Sequence, residues 1–353
     1  MTRIEKIQTK LRENGLDAVV LFSPVNIRYA VRFPVENGAA LVTARGAHLL
    51  TDSRYVEAAQ LKTVDAEVIL FDTDHPLREK LKELLRGSAR IGAEERRLPY
   101  ADWNRWREIL DCELVPAEQL LLDLRSVKEP EEIASIVAAQ RIAERALEEV
   151  KNLIRPGVTE RAIAAELTYR MMLYGGEGNS FDPIALTGKN TSVPHGVPGE
   201  AAVAEGDFVL MDFGCLVNGY CSDMTRTLAV GHATEEMHAV YDAVLRAQRA
   251  GIAAARAGAT GADVHNAAQR VISDAGHGAR FGHAFGHSLG LEIHENPGAH
   301  PKNDKPLPAG AVISAEPGIY LSGSFGVRIE DMLRLTEDGN EDLTEAPKEL
   351  EIL

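Results

Sequence analysis

The sequence predicts an α/β (α+β) protein in two parts. A small α/β domain covers residues 1–125, and a C-terminal domain of helices and antiparallel strands covers residues 126–353. Three observations carry this. Helical and strand patterns alternate through the first part, a junction follows at Ser126-Val127-Lys128-Glu129-Pro130, and the remainder holds an internal repeat.

A chain of 353 residues, 45% apolar and 26% charged, is long enough for two cores and excludes collagen-like, mucin-like and disordered classes. Its 38 Lys and Arg stand against 53 Asp and Glu, a net charge of −15. That balance argues against nucleic acid or an anionic membrane as a partner. Cys112, Cys215 and Cys221 are too scattered for a disulfide framework, and the apolar run Ala18–Phe22 is far short of the ~20 residues of a membrane span. A cytoplasmic location is the expectation.

In chain order, a helical stretch over Ile4–Asn14 leads into the apolar run Asp17–Phe22. Strands over Ala39–Ala44 and Ala47–Thr51 flank a turn at Arg45-Gly46. Further strands are expected at Glu67–Phe71, Arg90–Ala93 and Glu113–Pro116, separated by helices such as Leu77–Arg86 and Tyr100–Leu110, which together make a mixed sheet. Pro130 suits the first turn of a long helix, Glu131 and Glu132 suit its positive end, and the expected stop is at Arg155-Pro156-Gly157 after Ile154. Ala139-Gln140-Arg141 and Arg155-Pro156-Gly157-Val158-Thr159 are echoed by Ala247-Gln248-Arg249 and Arg256-Ala257-Gly258-Ala259-Thr260. The offset is 108 residues for the first pair and 101 for the second, so the second copy is shorter by seven, about two helical turns. Two Ala-rich helical stretches can also resemble one another by chance; if the repeat is real, the C-terminal domain is a pseudo-symmetric pair of helix–helix–sheet halves.

Nine of the 11 histidines lie between His195 and His300, which places imidazole chemistry in the second domain. Asn218-Gly219 between apolar runs is a strong hairpin signal. A two-residue loop there sets Asp223 opposite Gly214, with Asp212 two residues on along the same face, about 7–8 Å away. Either aspartate alone could be solvent-facing beside a turn, but two like charges on one face among apolar neighbours call for a cation between them. Glu316 and Glu330 repeat the theme in strand-like sequence joined by a turn over Ser322–Gly326, with Pro317 signalling an edge or strand end. The glycines in Phe281–Glu295 argue against a helix, so His287 and His294 need a bend to serve one site. Four carboxylates and one imidazole suit Mn²⁺, with Zn²⁺, Co²⁺ or Fe²⁺ as competitors, and leave room for two ions about 3.5–4 Å apart.

These segments together resemble the pita-bread metallopeptidases, in particular the Xaa-Pro peptidases (prolidase and aminopeptidase P). The resemblance is carried by Met211-Asp212-Phe213-Gly214, Cys221 through Thr227, His287 through His294-Glu295, Glu316-Pro317-Gly318-Ile319-Tyr320 and Arg328-Ile329-Glu330-Asp331. It implies a pita-bread fold with a pseudo-two-fold antiparallel sheet, a binuclear site, and cleavage of the bond before proline, in dipeptides or in longer Xaa-Pro-Yaa peptides. Asp212 and Glu330 would bridge two divalent ions, Asp223 would complete one site, and His287 and Glu316 the other. Glu316 would also handle the proton of the attacking water. His195 would contact substrate, His294 would stabilise the charged intermediate, and His283, Tyr320 and Arg328 would surround the proline pocket, with Phe181 against the proline ring. Relatives of this kind are commonly homodimers.

Arg32, in Asn26-Ile27-Arg28-Tyr29-Ala30-Val31-Arg32-Phe33, departs from the glycine that relatives commonly carry there. A carboxylate clamp favouring dipeptides is the expectation for it. A metal-free relative such as creatinase and a non-catalytic binding module are the competing readings, and the five filled ligand positions argue against both.

Overall fold

Thr2 starts the first helix with a capping box: its Oγ1 accepts from the Glu5 amide at 3.2 Å, and Glu5 Oε2 accepts from the Thr2 amide at 2.7 Å. The computed structural model describes residues 1–353 and divides into two units, Met1–Arg125 and Ser126–Leu353.

The first unit is built on a six-stranded mixed sheet. Its strands are β1 (Ala18–Leu21), β2 (Gly38–Thr43), β3 (Gly46–Thr51), β4 (Glu67–Leu70), β5 (Arg90–Ala93) and β6 (Glu113–Pro116), in the spatial order β4-β3-β2-β1-β5-β6. The pairs β1–β2 and β2–β3 are antiparallel, and the other three are parallel. The helices are α1 (Arg3–Glu13), α2 (Pro24–Val31), α3 (Val56–Lys62), α4 (Leu77–Leu84), α5 (Tyr100–Ile109) and α6 (Glu118–Arg125). The sequence reading passed over α2, α3 and α6, which at seven or eight residues are too short for a clear helical period. The start of α2 is nevertheless marked: Ser23 Oγ accepts from the Asn26 amide at 3.2 Å, and Pro24 takes the first helical position. Its end is Arg32, in the left-handed region at φ 65°.

The second unit carries the repeat. Helices α7 (Pro130–Lys151) and α8 (Glu160–Leu173) precede strands β7 (Ile184–Thr187), β8 (Phe208–Phe213), β9 (Leu216–Val217), β10 (Tyr220–Cys221) and β11 (Met224–Ala229). Helices α9 (Glu235–Ala254) and α10 (Gly261–Asp274) precede β12 (Gly286–Ser288), β13 (Glu295–Ala299), β14 (Val312–Ala315), β15 (Gly318–Leu321), β16 (Phe325–Arg328), β17 (Asp331–Leu335) and β18 (Asn340–Asp342). The halves agree in detail. Thr159 and Thr260 are the N-caps of α8 and α10, each accepting a backbone N–H. Gly157 and Gly258 both have positive φ, and so do Gly175 and Gly276. The Val203 amide donates to the Val158 carbonyl, and the Leu307 amide donates to the Ala259 carbonyl. One boundary differs from expectation: α7 stops at Lys151, because the Asn152 amide turns to the Glu149 and Val150 carbonyls and the chain continues to Ile154 in tight turns.

Two larger antiparallel sheets result, β11-β8-β7 and β13-β12-β14-β17-β18, beside the two-stranded ribbons β10-β9 and β15-β16, and an antiparallel bridge between Thr225 and Glu330 links the larger pair. Val209, Met211 and Phe213 of β8 pack with Leu147, Leu167 and Met171 of α7 and α8, so that Asp212 projects from the opposite face. In the second half, Ile313 and Ala315 pack with Val244, Val264 and Ile272 of α9 and α10.

Candidate metal centre

The hairpin at Asn218-Gly219 has positive φ at both residues (51° and 75°), the requirement of a two-residue turn. Its register, Val217 opposite Tyr220, continues to Phe213 opposite Met224 and Asp212 opposite Thr225. Asp223 precedes Met224 and so is the diagonal neighbour of Asp212. Glu316 and Glu330 are not within strands, as their sequence suggested. Each sits in a break, Glu316 between β14 and β15 and Glu330 between β16 and β17. Their amides donate to the Phe285 and Thr225 carbonyls, which ties both breaks to neighbouring strands. His287 is the middle residue of β12, where the pairing with β13 is irregular. The chain then bends so that the His287 and His294 rings meet edge-on with centroids 4.5 Å apart.

Donor atoms of Asp223, His287 and Glu330 all lie within 4.8 Å of one another. His287 Nε2 is 3.5 Å from Asp223 Oδ2 and 3.4 Å from Glu316 Oε1. Its Nδ1 lies 3.1 Å from the Ser288 carbonyl, which can only accept, so the proton sits there and Nε2 presents a lone pair to the carboxylates. Burial pushes the His287 pKa down, which favours this neutral form. Asp212, Asp223, His287, Glu316 and Glu330 line one cavity of about 500 Å³ together with Phe181, Asp182, Ile184, Pro194, His195, His283, Ile293, His294 and Arg328.

The electrostatics of this cavity are those of a site short of positive charge. Burial, then the charges of Asp212 and Glu316, raise the Asp223 pKa well above the usual carboxylate range. Burial, then Asp223, Glu316 and Asp212, do the same to Glu330, and burial raises Glu316. One oxygen of Asp212, Oδ1, is buried with no hydrogen-bond partner, while Oδ2 accepts from Arg328 Nη2 at 2.5 Å. Buried carboxylates that repel one another, an orphaned oxygen and a neutral imidazole aimed at them fit bound divalent cations.

The remaining proposed residues fall into two groups. Arg328 donates from Nη1 to the Tyr320 hydroxyl at 2.9 Å, and that hydroxyl is 3.0 Å from His283 Nε2. His283 Nδ1 is committed to the Ala284 carbonyl at 2.8 Å, so Tyr320 donates its proton to His283. Tyr320 therefore joins the site through His283 and Arg328. Arg32 belongs to the N-terminal unit, where it caps α2.

Sequence reasoning missed the residues that hold these groups in place. Thr225, fully buried, donates to Glu330 Oε2 at 2.7 Å and accepts from Arg328 Nε at 3.0 Å. Ser314 donates to Glu316 Oε1 at 2.9 Å and accepts from the His287 amide at 3.0 Å. The available signal was a small hydroxyl residue in a strand, two positions from an acidic residue: Thr225 after Asp223, and Ser314 before Glu316.

Residues 134–337 match metallopeptidase family M24, and residues 3–127 match the creatinase/prolidase N-terminal domain. The chain belongs to family M24. Among M24 relatives, the Xaa-Pro dipeptidase of Pyrococcus furiosus is 34% identical, with 99% of each chain covered. The solved structure of an Xaa-Pro dipeptidase from Bacillus anthracis is 37% identical, with a TM-score of 0.95 over 99% of both chains. That of an X-Pro aminopeptidase from Thermotoga maritima is 35% identical, with a TM-score of 0.92 over the whole of both. The M24 pita-bread domain is thus the fold of the second unit, and M24 membership makes the chain a metallopeptidase that uses a divalent metal.

Proposed function

We propose that this M24 member is a binuclear Xaa-Pro peptidase that hydrolyses the bond before proline, with Xaa-Pro dipeptides as preferred substrates. The observation that carries the reading is the convergence on a single cavity of four carboxylates, Asp223 and Glu330 buried and Asp212 and Glu316 mostly so, with one neutral imidazole. Asp212, Asp223, His287, Glu316 and Glu330 would hold two divalent ions. Mn²⁺ suits the mostly oxygen donor set, and Zn²⁺, Co²⁺ and Fe²⁺ compete for it. Such ions supply Lewis acidity and lower the pKa of water when bound.

The chain's own residues do the rest. Phe181, Ile184 and Ile293 supply apolar walls against which a proline ring can pack, which suits a substrate whose scissile nitrogen carries no hydrogen. His195 and His294 stand at more exposed positions of the lining, placed to donate to the scissile carbonyl as negative charge develops on its oxygen. The partial withdrawal of its ring from solvent, then His287, lowers the His294 pKa, so the ring donates from a neutral N–H. Glu316 accepts the proton of the attacking water and returns it to the proline nitrogen as the carbon–nitrogen bond breaks.

The test is turnover of Ala-Pro, Leu-Pro and Ala-Pro-Ala by protein whose metal content is measured on the same sample. Hydrolysis of the dipeptides with two equivalents of Mn²⁺ supports the reading, and inactivity at full occupancy rejects it. Aminopeptidase P activity is the second reading, favoured by the full-length similarity to the X-Pro aminopeptidase, and faster cleavage of the tripeptide would establish it.

A further inference from the structure

Lys128 and Glu295 form an ion pair of 3.0 Å with side chains only 1% and 4% exposed. Neither is among the residues lining the cavity. Burying two charges is costly and does not by itself stabilise a fold, so their placement invites a reason. Lys128 is fixed at its backbone, where its amide donates to the Gly310 carbonyl at 2.9 Å. Glu295 is the first residue of β13 and follows His294 directly. While Oε2 of Glu295 meets Lys128, its Oε1 accepts from the Glu292 amide at 3.2 Å. That carboxylate packs so closely over Gly290 that a Cβ there would come within 2.9 Å of it. The Gly290 amide donates to the Glu292 carbonyl, and the Gly290 carbonyl accepts from the Cys221 amide at 2.7 Å. The Glu295 side chain therefore sits inside the bend of residues 290–295, and Lys128 holds it there.

We propose that the Lys128–Glu295 pair is a positioning device for His294. It pins the bend that returns this imidazole to its edge-on contact with His287, although neither charged group reaches the cavity itself. A bend of six residues has few ways to be rigid without regular pairing, and a buried charge bonded to its backbone supplies one. A misplacement of about 1 Å at a group that stabilises developing charge costs up to ~100-fold in rate. The inference rests on the proposed role of His294 in peptide hydrolysis.

The test uses the full chain with Lys128→Met, Glu295→Gln and the conservative Lys128→Arg. Amide exchange in residues 289–295 should quicken at least tenfold in the first two relative to the rest of the domain, and return towards wild type in Lys128→Arg. Turnover of Ala-Pro should fall roughly 10–100-fold in kcat, with KM and Mn²⁺ affinity changed by less than about threefold. In a His294→Ala background, Lys128→Met should lower kcat by less than about twofold, because the group it positions is gone. Unchanged exchange in 289–295, an equal fall in both backgrounds, or parallel loss of Mn²⁺ binding would each overturn the proposal. Undiminished turnover by His294→Ala alone would instead refute the role given to His294, and the exchange result, which needs no activity, would still decide whether the pair pins the bend. Should Lys128→Met not fold, the near-isosteric Glu295→Gln carries the same comparisons.

Discussion

Arg328 reaches Asp212 with an Nη2–Oδ2 distance of 2.5 Å, where the two side chains are only 4% and 14% exposed. The same guanidinium donates to Thr225, which in turn donates to Glu330. Arg328 thus lies between two of the proposed ligands and is the lone fixed positive charge in the cavity lining. Burial works against its charge, but the surrounding Tyr320, Asp212, Glu330 and Glu316 outweigh that and keep it cationic.

Removing that cation should therefore matter most when no metal is present. In Arg328→Met the four carboxylates lose their internal counter-charge, and the metal-free protein should lose about 3–5 kcal/mol, the usual cost of stranding a buried ion-pair partner. With saturating Mn²⁺ most of the deficit should disappear. Urea midpoints with chelator and with Mn²⁺ measure both, and an equal loss under the two conditions would count against a cation site here.

The pH dependence of the metal-free protein follows from two sets of groups with opposite signs. Asp223, Glu316 and Glu330 have folded pKa values raised above their ordinary values of 3.8 to 4.5, so the folded state holds more protons and stability falls as pH rises from there through the raised values. His283, His287 and His294 are lowered by burial from 6.5, so stability rises with pH through the window below 6.5. Saturating Mn²⁺ should flatten or reverse the falling slope of the carboxylates, because metal binding favours deprotonated ligands. The rise in melting temperature on adding Mn²⁺ should therefore grow as pH rises, and a rise that shrinks with increasing pH would contradict the picture.

The strands and the acidic pairs were legible in the sequence because both rest on local rules. Asn218-Gly219 set the hairpin register that makes Asp212 and Asp223 diagonal neighbours, and the N-capping threonines with their glycines marked both copies of the repeat. What escaped was non-local. Thr225 and Ser314 are unremarkable strand residues until two chain segments more than a hundred and nearly thirty residues away, respectively, bring Glu330 and His287 to their hydroxyls. Glu316 and Glu330 appeared to lie inside strands, because apolar flanks do not reveal that pairing is interrupted at each of them.

Arg32 shows a different limit. Its departure from glycine invites a functional reading, yet its φ of 65° lies where glycine is favoured for backbone reasons alone. Arg32→Gly should be about 0.5–1 kcal/mol more stable than Arg32→Ala, the relief of left-handed strain less the added freedom of the unfolded chain. Both variants lack the arginine side chain, so the difference between them reports the backbone. Urea denaturation compares the two, and the ratio of Ala-Pro to Ala-Pro-Ala turnover in Arg32→Ala separately tests a carboxylate clamp. Equal stability of the Gly and Ala variants would show that the backbone is not what the position selects.

Arg226 connects the proposed metal centre to the end of the chain. Only 2% exposed at its side chain, it donates from Nη1 to the carbonyls of Thr225 and Glu330, from Nη2 to Asp331 and the Ala346 carbonyl, and from Nε to the Pro347 carbonyl. Burial opposes the charge of Asp331, but Arg226 and Lys348 more than offset this and hold its pKa low. Beyond them the chain lies along β11, with the Ala229 amide donating to Glu351 and the Leu353 amide donating to Ala229. The break that presents Glu330 is thereby fastened from behind by residues 346–353. Deleting 345–353 should weaken Mn²⁺ binding about 10–100-fold, the range seen when groups that orient a ligand are removed. Arg226→Met should do the same at a cost of about 3–5 kcal/mol in stability, because Asp331 loses its main partner. Calorimetric titration at a temperature where each variant is folded measures the affinity. A truncated protein that binds Mn²⁺ within twofold of wild type would show that Thr225 alone suffices to orient Glu330.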